Sequence, residues 1–180
     1  QRNIEYLQQY DITDVVVNVH HFADQITDAI DKANGWGSNI IISDEADEVL
    51  ETGGGLLKAQ EYLDGDTFLT INVDMLTDLN LKYFLSFHQQ QQSVISLAVT
   101  ERETSRFLLF NKYNRLCGWR NTTPPAEKIV IQAAEYIQKG YSGIAIFEPT
   151  IFSLTNLSGK FSLIDLYLEL APQNKIAGFD

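Results

Sequence analysis

The sequence predicts an α/β fold in which a parallel sheet is covered by helices. Short apolar runs rich in β-branched residues, typical of buried strands, alternate with segments whose apolar residues recur at helical spacing. Up to residue 100 the order is β-α-β-α-β-α-β, which specifies parallel strands joined by right-handed crossovers. The strands predicted in this half are 15–19, 39–43, 68–73 and 93–99.

Helices are predicted before and between these strands. Ile4, Leu7 and Tyr10 have near-helical spacing, so the chain starts inside a helix. The other helices expected in this half cover 22–33, which Asn34 and Gly35 end, 56–63, and 79–87 with a solvated glutamine run at its end.

The pattern changes after Thr100. Segments 107–110 and 116–119 are spaced as a hairpin, and 121–125 is expected to be a loop without a strand. Around 129–136, strand and helix character compete and both alternatives stay open. The remaining elements are a strand at 141–147, a helical turn at 149–152, a helix at 161–170 and a strand at 176–180.

Length and composition indicate a single domain over residues 1–180. Hydrophobic residues make up 44% and charged residues 21%, with a formal net charge of −11 that argues against nucleic-acid binding. No apolar run approaches the roughly 20 residues that span a bilayer. One cysteine, Cys117, excludes an internal disulfide and indicates a cytoplasmic protein.

Glu51-Thr52-Gly53-Gly54-Gly55 is the first stretch that could carry chemistry. Three glycines let bare backbone approach a ligand, and they stand at a predicted helix start, where free N–H groups favour negative charge. The alternative is a flexible loop. Neither the dinucleotide fingerprint nor the P-loop pattern is present here.

Asn72-Val73-Asp74 closes the third strand at the sheet edge where ligands of α/β proteins gather. A carboxylate there suits Mg²⁺, which takes one or two carboxylates plus phosphate oxygens. The alternative is that Asp74 caps the next segment.

Other titratable residues have simpler interpretations. His20 and His21 point to opposite faces of an extended segment, so they indicate a turn rather than a metal site. His88 is expected at the surface and Cys117 in the core. The acidic run 43–48 is expected to be a solvated loop.

Several of these stretches resemble sugar-1-phosphate nucleotidyltransferases when taken in order. They are VVVNVHHFADQI at 15–26, LETGGG at 50–55, NVD at 72–74, YSGI at 141–144 and FSL at 161–163. The resemblance is closest to the mannose-1-phosphate guanylyltransferase-like and N-acetylmuramate-1-phosphate uridylyltransferase-like branch. It implies a Rossmann-like three-layer fold with a mixed, mostly parallel sheet.

The resemblance also implies an activity: transfer of a nucleoside monophosphate from an NTP to a sugar 1-phosphate, with release of pyrophosphate. Asp74 would be the catalytic residue that holds Mg²⁺, and Gly53 and Gly54 would face the base and ribose. Asn72, Gly143, Asn121 and Glu127 would bind the sugar phosphate. Neither nucleic acid nor a membrane is an expected partner, and a homo-oligomer stays open.

Two family motifs have no counterpart in these residues. The family's glycine-rich loop with its arginine and lysine should precede Gln1, and its second metal-binding aspartate should follow Asp180. Either the parent protein is longer at both ends or this chain is inactive. The alternative function is therefore a catalytically silent nucleotide-sugar sensor or regulatory subunit, and a dehydrogenase is a weaker third.

Overall fold

The computed structural model describes residues 1–46 and 49–180. Its helices are α1 (Arg2–Gln8), α2 (Ala23–Lys32), α3 (Glu51–Lys58), α4 (Gln60–Leu63), α5 (Leu81–Gln91), α6 (Ile151–Leu154) and α7 (Leu163–Leu170), with a 3₁₀ turn at Asn34–Gly37. Its strands are β1 (Asp14–Val19), β2 (Asn39–Asp44), β3 (Phe68–Ile71), β4 (Ile95–Thr100), β5 (Arg106–Phe110), β6 (Leu116–Thr122), β7 (Pro125–Ile129), β8 (Ile137–Phe147) and β9 (Ile176–Phe179).

The strands form two sheets within the described residues. β1 and β2 pair in parallel, and a larger sheet has the order β7-β6-β5-β8-β4-β9, with β3 also paired to β8. The mixed sheet expected from the sequence is confirmed. The expectation that it is mostly parallel is wrong for the described pairings, since only β1–β2 and β4–β9 are parallel. The reason is that β8 returns between β3 and β4 and pairs antiparallel with both.

Helices cover both faces of the larger sheet. Leu97 and Val99 of β4 lie in one core cluster with residues of α3 and α7, whereas Ala98 lies in a second cluster with residues of α1 and α5. This alternation follows from the two-residue period of a strand. The result is the three-layer arrangement that the resemblance implies.

Two local expectations in the second half are settled. The loop expected at 121–125 is strand at both ends, because β6 runs to Thr122 and β7 begins at Pro125, the first residue of an edge strand, where proline is tolerated. Neither alternative left open around 129–136 describes the segment: the strand ends at Ile129, and residues 130–136 are neither strand nor helix before β8 begins at Ile137. Within the residues described, no helix has the length and apolar character needed to cross a membrane.

Candidate functional site

Asn72 and Gly143 are brought together by the pairing of β3 with β8. Ile71 is opposite Ile144 in the register, so the next residue of β3 meets Gly143, and the Asn72 N–H donates to the Gly143 carbonyl at 2.9 Å. Gly143 has φ +74°, and a Cβ there would lie 2.7 Å from Asn72 Nδ2. Glycine is therefore required by both the backbone angle and the contact.

Asp74 follows in a turn in which the Met75 N–H donates to the Asn72 carbonyl at 3.1 Å. Its side chain is exposed, so it is available to a ligand at this edge. The described part of the chain holds no group of three or more His, Cys, Asp or Glu side chains that could hold a metal ion. One free carboxylate fits Mg²⁺ only when phosphate oxygens and water complete the coordination, as is usual for this ion.

The first two glycines of the 53–55 run are packed against protein atoms. α3 begins at Glu51, earlier than the helix expected at 56–63, so the three glycines lie inside it rather than in a turn before it. The Gly53 and Gly54 N–H groups donate to the Phe161 carbonyl at 2.9 and 3.2 Å. A Cβ on Gly53 would lie 2.4 Å from the Phe161 ring. The expectation that these N–H groups are open to a ligand is corrected, and a nucleotide-binding role for Gly53 and Gly54 stays a prediction.

Glu45 is a buried carboxylate that the sequence did not single out. Its side chain accepts hydrogen bonds from Asn18 Nδ2 at 2.9 Å and from the Leu50 N–H at 3.1 Å, and its carbonyl contacts His20 Nδ1 at 2.8 Å. A Cβ on Gly55 would lie 2.4 Å from Glu45 Oε1, so the third glycine makes room for this carboxylate. Glu45 thus departs from the solvated loop expected at 43–48, while Asp47 and Glu48 lie outside the described residues.

Asn121 and Glu127 lie on the β6–β7 hairpin rather than beside Asn72. In the strand order β7-β6-β5-β8, Asn121 is two strands from β8, or about 10 Å, and Glu127 is three strands away, or about 14 Å. Asn121 is nearly buried, whereas Glu127 is exposed and forms an ion pair with Arg120. Their substrate-binding roles stay predictions.

A cleft of about 530 Å³ lies where β4 ends and β5 begins, and it includes Gly140 of β8. Arg102 lines it and donates from Nη2 to the Tyr141 carbonyl at 2.8 Å. Gly140 is three residues from Gly143, about 10 Å along the strand. Sequence reasoning missed Arg102 because residues 101–105 have no periodic pattern.

His88 is buried, which corrects the surface position expected for it. Its Nδ1 contacts Ser96 Oγ at 2.8 Å and its Nε2 contacts Glu148 Oε1 at 2.9 Å. The ring ties α5 to β4 and to the residue after β8, so its role is structural. Cys117 is buried as expected, and burial raises the pKa of its thiol.

Comparisons with known proteins give consistent relatives, although no protein-family model matches the chain. It is 39% identical over 74 residues to N-acetylmuramate alpha-1-phosphate uridylyltransferase of Neisseria meningitidis, covering 41% of this chain and 32% of that protein. It is 27% identical over 170 residues to the enzyme of the same name from Caulobacter vibrioides, covering 91% and 67%. It is 24% identical to mannose-1-phosphate guanyltransferase of Candida albicans, covering 98% and 48%.

Solved structures share the fold. HddC from Yersinia pseudotuberculosis superposes with a TM-score of 0.74 at 22% identity, over 99% of this chain and 74% of that one. The inositol-1-phosphate CTP transferase from T. maritima gives 0.72 at 14% identity, over 99% and 70%. The chain spans between about a third and two thirds of the length of the three curated relatives above.

Proposed function

We propose that this chain, a homologue of the sugar-1-phosphate nucleotidyltransferases, forms the core of an enzyme that transfers a nucleoside monophosphate from an NTP to a sugar 1-phosphate. The resemblance drawn from the sequence is confirmed by these relatives. The activity of the whole protein, its substrates and its cytoplasmic location belong to the proposal.

The observation that carries the proposal is the junction of Asn72 with Gly143 beside the exposed Asp74. The Asn72 amide and the Asp74 carboxylate then lie at the same sheet edge, with Gly143 packed against Asn72. This combination suits a ligand that has both hydroxyl groups and phosphate oxygens. The amide can hydrogen-bond hydroxyl groups, and the carboxylate can bind a cation that also binds phosphate oxygens.

The proposed reaction is an in-line displacement. A phosphate oxygen of the sugar 1-phosphate attacks the α-phosphorus of the NTP, a new P–O bond forms, and the bond to the leaving pyrophosphate breaks. Mg²⁺, held by Asp74, would neutralise charge on the phosphates. In this proposal Asn72 and Gly143 orient the sugar phosphate, and positioning supplies most of the catalysis.

Arg102 is a candidate for the anionic end of the sugar phosphate. Its guanidinium is fixed to the Tyr141 carbonyl and, among the described residues, is the one cation in the lining of the cleft, which Glu101 and Glu103 also line. In this proposal Asn121 and Glu127, which lie on the β6–β7 hairpin next to β5, contact the sugar.

The test is a pyrophosphate-release assay on the protein at its natural length, with Mg²⁺. UTP, GTP, CTP, ATP and dTTP are each combined with the 1-phosphates of N-acetylmuramic acid, mannose and glucose. We expect one NTP and one sugar 1-phosphate to give turnover together and neither to give turnover alone. Absence of turnover for every pair would contradict the proposal.

A second candidate function is a nucleotide-sugar sensor without catalysis. Its support is that Asp74 has no partner carboxylates in a metal-holding group within the described residues. Two measurements together separate the functions. A sensor should be stabilised by an NDP-sugar in a thermal-shift assay, while no pair of NTP and sugar 1-phosphate releases pyrophosphate in the activity assay.

A further inference from the structure

Helix α1 is tied by side chains to the loop that carries Asp74. Asn3 Nδ2 donates to the Asn72 carbonyl at 3.3 Å and to the Val73 carbonyl at 3.2 Å. At the other end of the loop, the hydroxyls of Tyr6 and Tyr10 both donate to the Leu79 carbonyl. Asn3 and Tyr6 of α1, with Tyr10 just beyond its end, therefore hold both ends of the 72–79 loop, about seventy residues away in sequence.

The loop is held from its opposite side by β8. The Asn72 N–H is bonded to the Gly143 carbonyl, while its own carbonyl accepts from both Met75 N–H and Asn3. The Val73 carbonyl belongs to the peptide that joins Val73 to Asp74. Asn3 thus contacts the peptide plane that sets the direction in which the Asp74 side chain leaves the backbone.

We propose that Asn3 is a positioning residue for Asp74, holding the Val73–Asp74 peptide so that the carboxylate faces the phosphate-bound cation. This inference rests on the proposed function. A neutral amide suits the task, because it donates two hydrogen bonds to carbonyls without adding charge. A lysine or arginine here would donate as well but would place a positive charge beside a carboxylate that must attract Mg²⁺.

Asn3 is separable from the packing of its helix. Ile4 and Leu7 are the buried residues of α1, whereas the Asn3 side chain is half-buried at the surface. Removal of the Asn3 amide leaves the packing of Ile4 and Leu7 in place, together with the hydrogen bonds from Tyr6 and Tyr10 to the Leu79 carbonyl. We therefore expect Asn3→Ala to change the thermal midpoint little.

The first test measures Asn3→Ala and the matched control Gln9→Ala, which alters an exposed amide at the end of the same helix. We expect Asn3→Ala to lower kcat/KM about ten- to hundredfold and to raise the Mg²⁺ concentration needed for half-maximal rate, as for a misplaced catalytic group. Gln9→Ala should retain wild-type values. Wild-type kinetics for Asn3→Ala would overturn the inference.

The second test needs no activity. Amide hydrogen exchange of the 72–76 segment should be faster in Asn3→Ala than in Gln9→Ala, with exchange of the β8 core unchanged. Equal exchange at 72–76 in both variants would show that Asn3 does not hold the loop.

Combination with Asp74→Asn separates the possible failures. If Asn3 acts through Asp74, Asn3→Ala should have almost no further effect on the residual turnover of Asp74→Asn. Additive losses would overturn the positioning role and leave the proposed function intact. Full activity of Asp74→Asn would instead contradict the metal role in the proposed function.

Discussion

At the residue scale, the glycine run illustrates what a local pattern can and cannot predict. The sequence predicts that backbone approaches something closely at Gly53, Gly54 and Gly55, and this is correct. Most partners, however, come from distant parts of the chain: Phe161 for Gly53, Gly159 for Gly54 and Asn18 for Gly55, whereas Glu45, which also lies beside Gly55, is near it in sequence. The motif therefore predicts that glycine is required at these positions, and only the tertiary structure shows which residue packs against each glycine.

Gly54→Ala decides between two opposing effects. Alanine in a helix is more favourable than glycine by about 1 kcal/mol, but its Cβ would lie 2.2 Å from the Gly159 carbonyl oxygen. We expect the clash to dominate and to lower the free energy of unfolding by about 1–3 kcal/mol, as overpacking does. Urea denaturation measures the change.

Gly65→Ala is the matched control for this substitution, because a Cβ at Gly65 meets no atom within 4 Å. It should shift the free energy of unfolding by less than about 0.5 kcal/mol. If Gly54→Ala were as stable as the wild type, the packing described for the start of α3 would be wrong.

His88 and Glu45 were misplaced by sequence reasoning for a related reason. A histidine or glutamate is usually exposed, and burial becomes favourable only when hydrogen-bond partners are supplied. The Glu148 partner of His88 is 60 residues away, and the Asn18 partner of Glu45 is 27 residues away. No local pattern carries that information.

At the element scale, β8 is the strand that the sequence underestimated. Residues 141–147 were predicted, but the strand begins at Ile137 and pairs with β3, β4 and β5. Its return between β3 and β4 also makes those pairings antiparallel. The order of strands depends on nonlocal pairing, so the alternating pattern predicts the layers and leaves the neighbours of each strand undetermined.

The contact of β8 with α7 predicts a pH dependence of stability. Tyr141 OH lies 3.0 Å from Tyr167 OH, and burial raises the pKa of Tyr141 from 10.0 to about 12 and that of Tyr167 as well. The unfolded chain ionises these hydroxyls near pH 10, below the folded pKa. Their contribution is therefore complete below pH 10 and is lost as the pH rises towards 12.

Urea midpoints measured from pH 9 to about pH 12 test this prediction. The pair of substitutions Tyr141→Phe and Tyr167→Phe should flatten the alkaline loss of stability, whereas Tyr113→Phe, at an exposed position, should leave it unchanged. If the wild type, the Tyr141→Phe/Tyr167→Phe double variant and Tyr113→Phe all lost stability equally with rising pH, the assignment to the buried pair would be contradicted.

At the scale of the whole molecule, the fold class was predictable because both faces of the larger sheet are buried. Alternating strands and amphipathic helices then pack as a sheet between two helical layers, and structures with TM-scores of 0.74 and 0.72 share this fold. The site was predictable in part: Asn72 and Gly143 meet, while Asn121 and Glu127 lie on a hairpin two and three strands from β8. The segments that the resemblance implies before Gln1 and after Asp180 stay predictions.

The central claim is that Asp74 serves the reaction through a cation, and one comparison tests it most directly. Pyrophosphate release is measured for Asp74→Asn and for Asp78→Asn, which removes the same charge from another exposed position of the same loop. We predict that Asp74→Asn lowers turnover by about 10²-fold or more, as loss of a principal electrostatic partner does, while Asp78→Asn stays close to wild type. Equal turnover in the two variants would contradict the account.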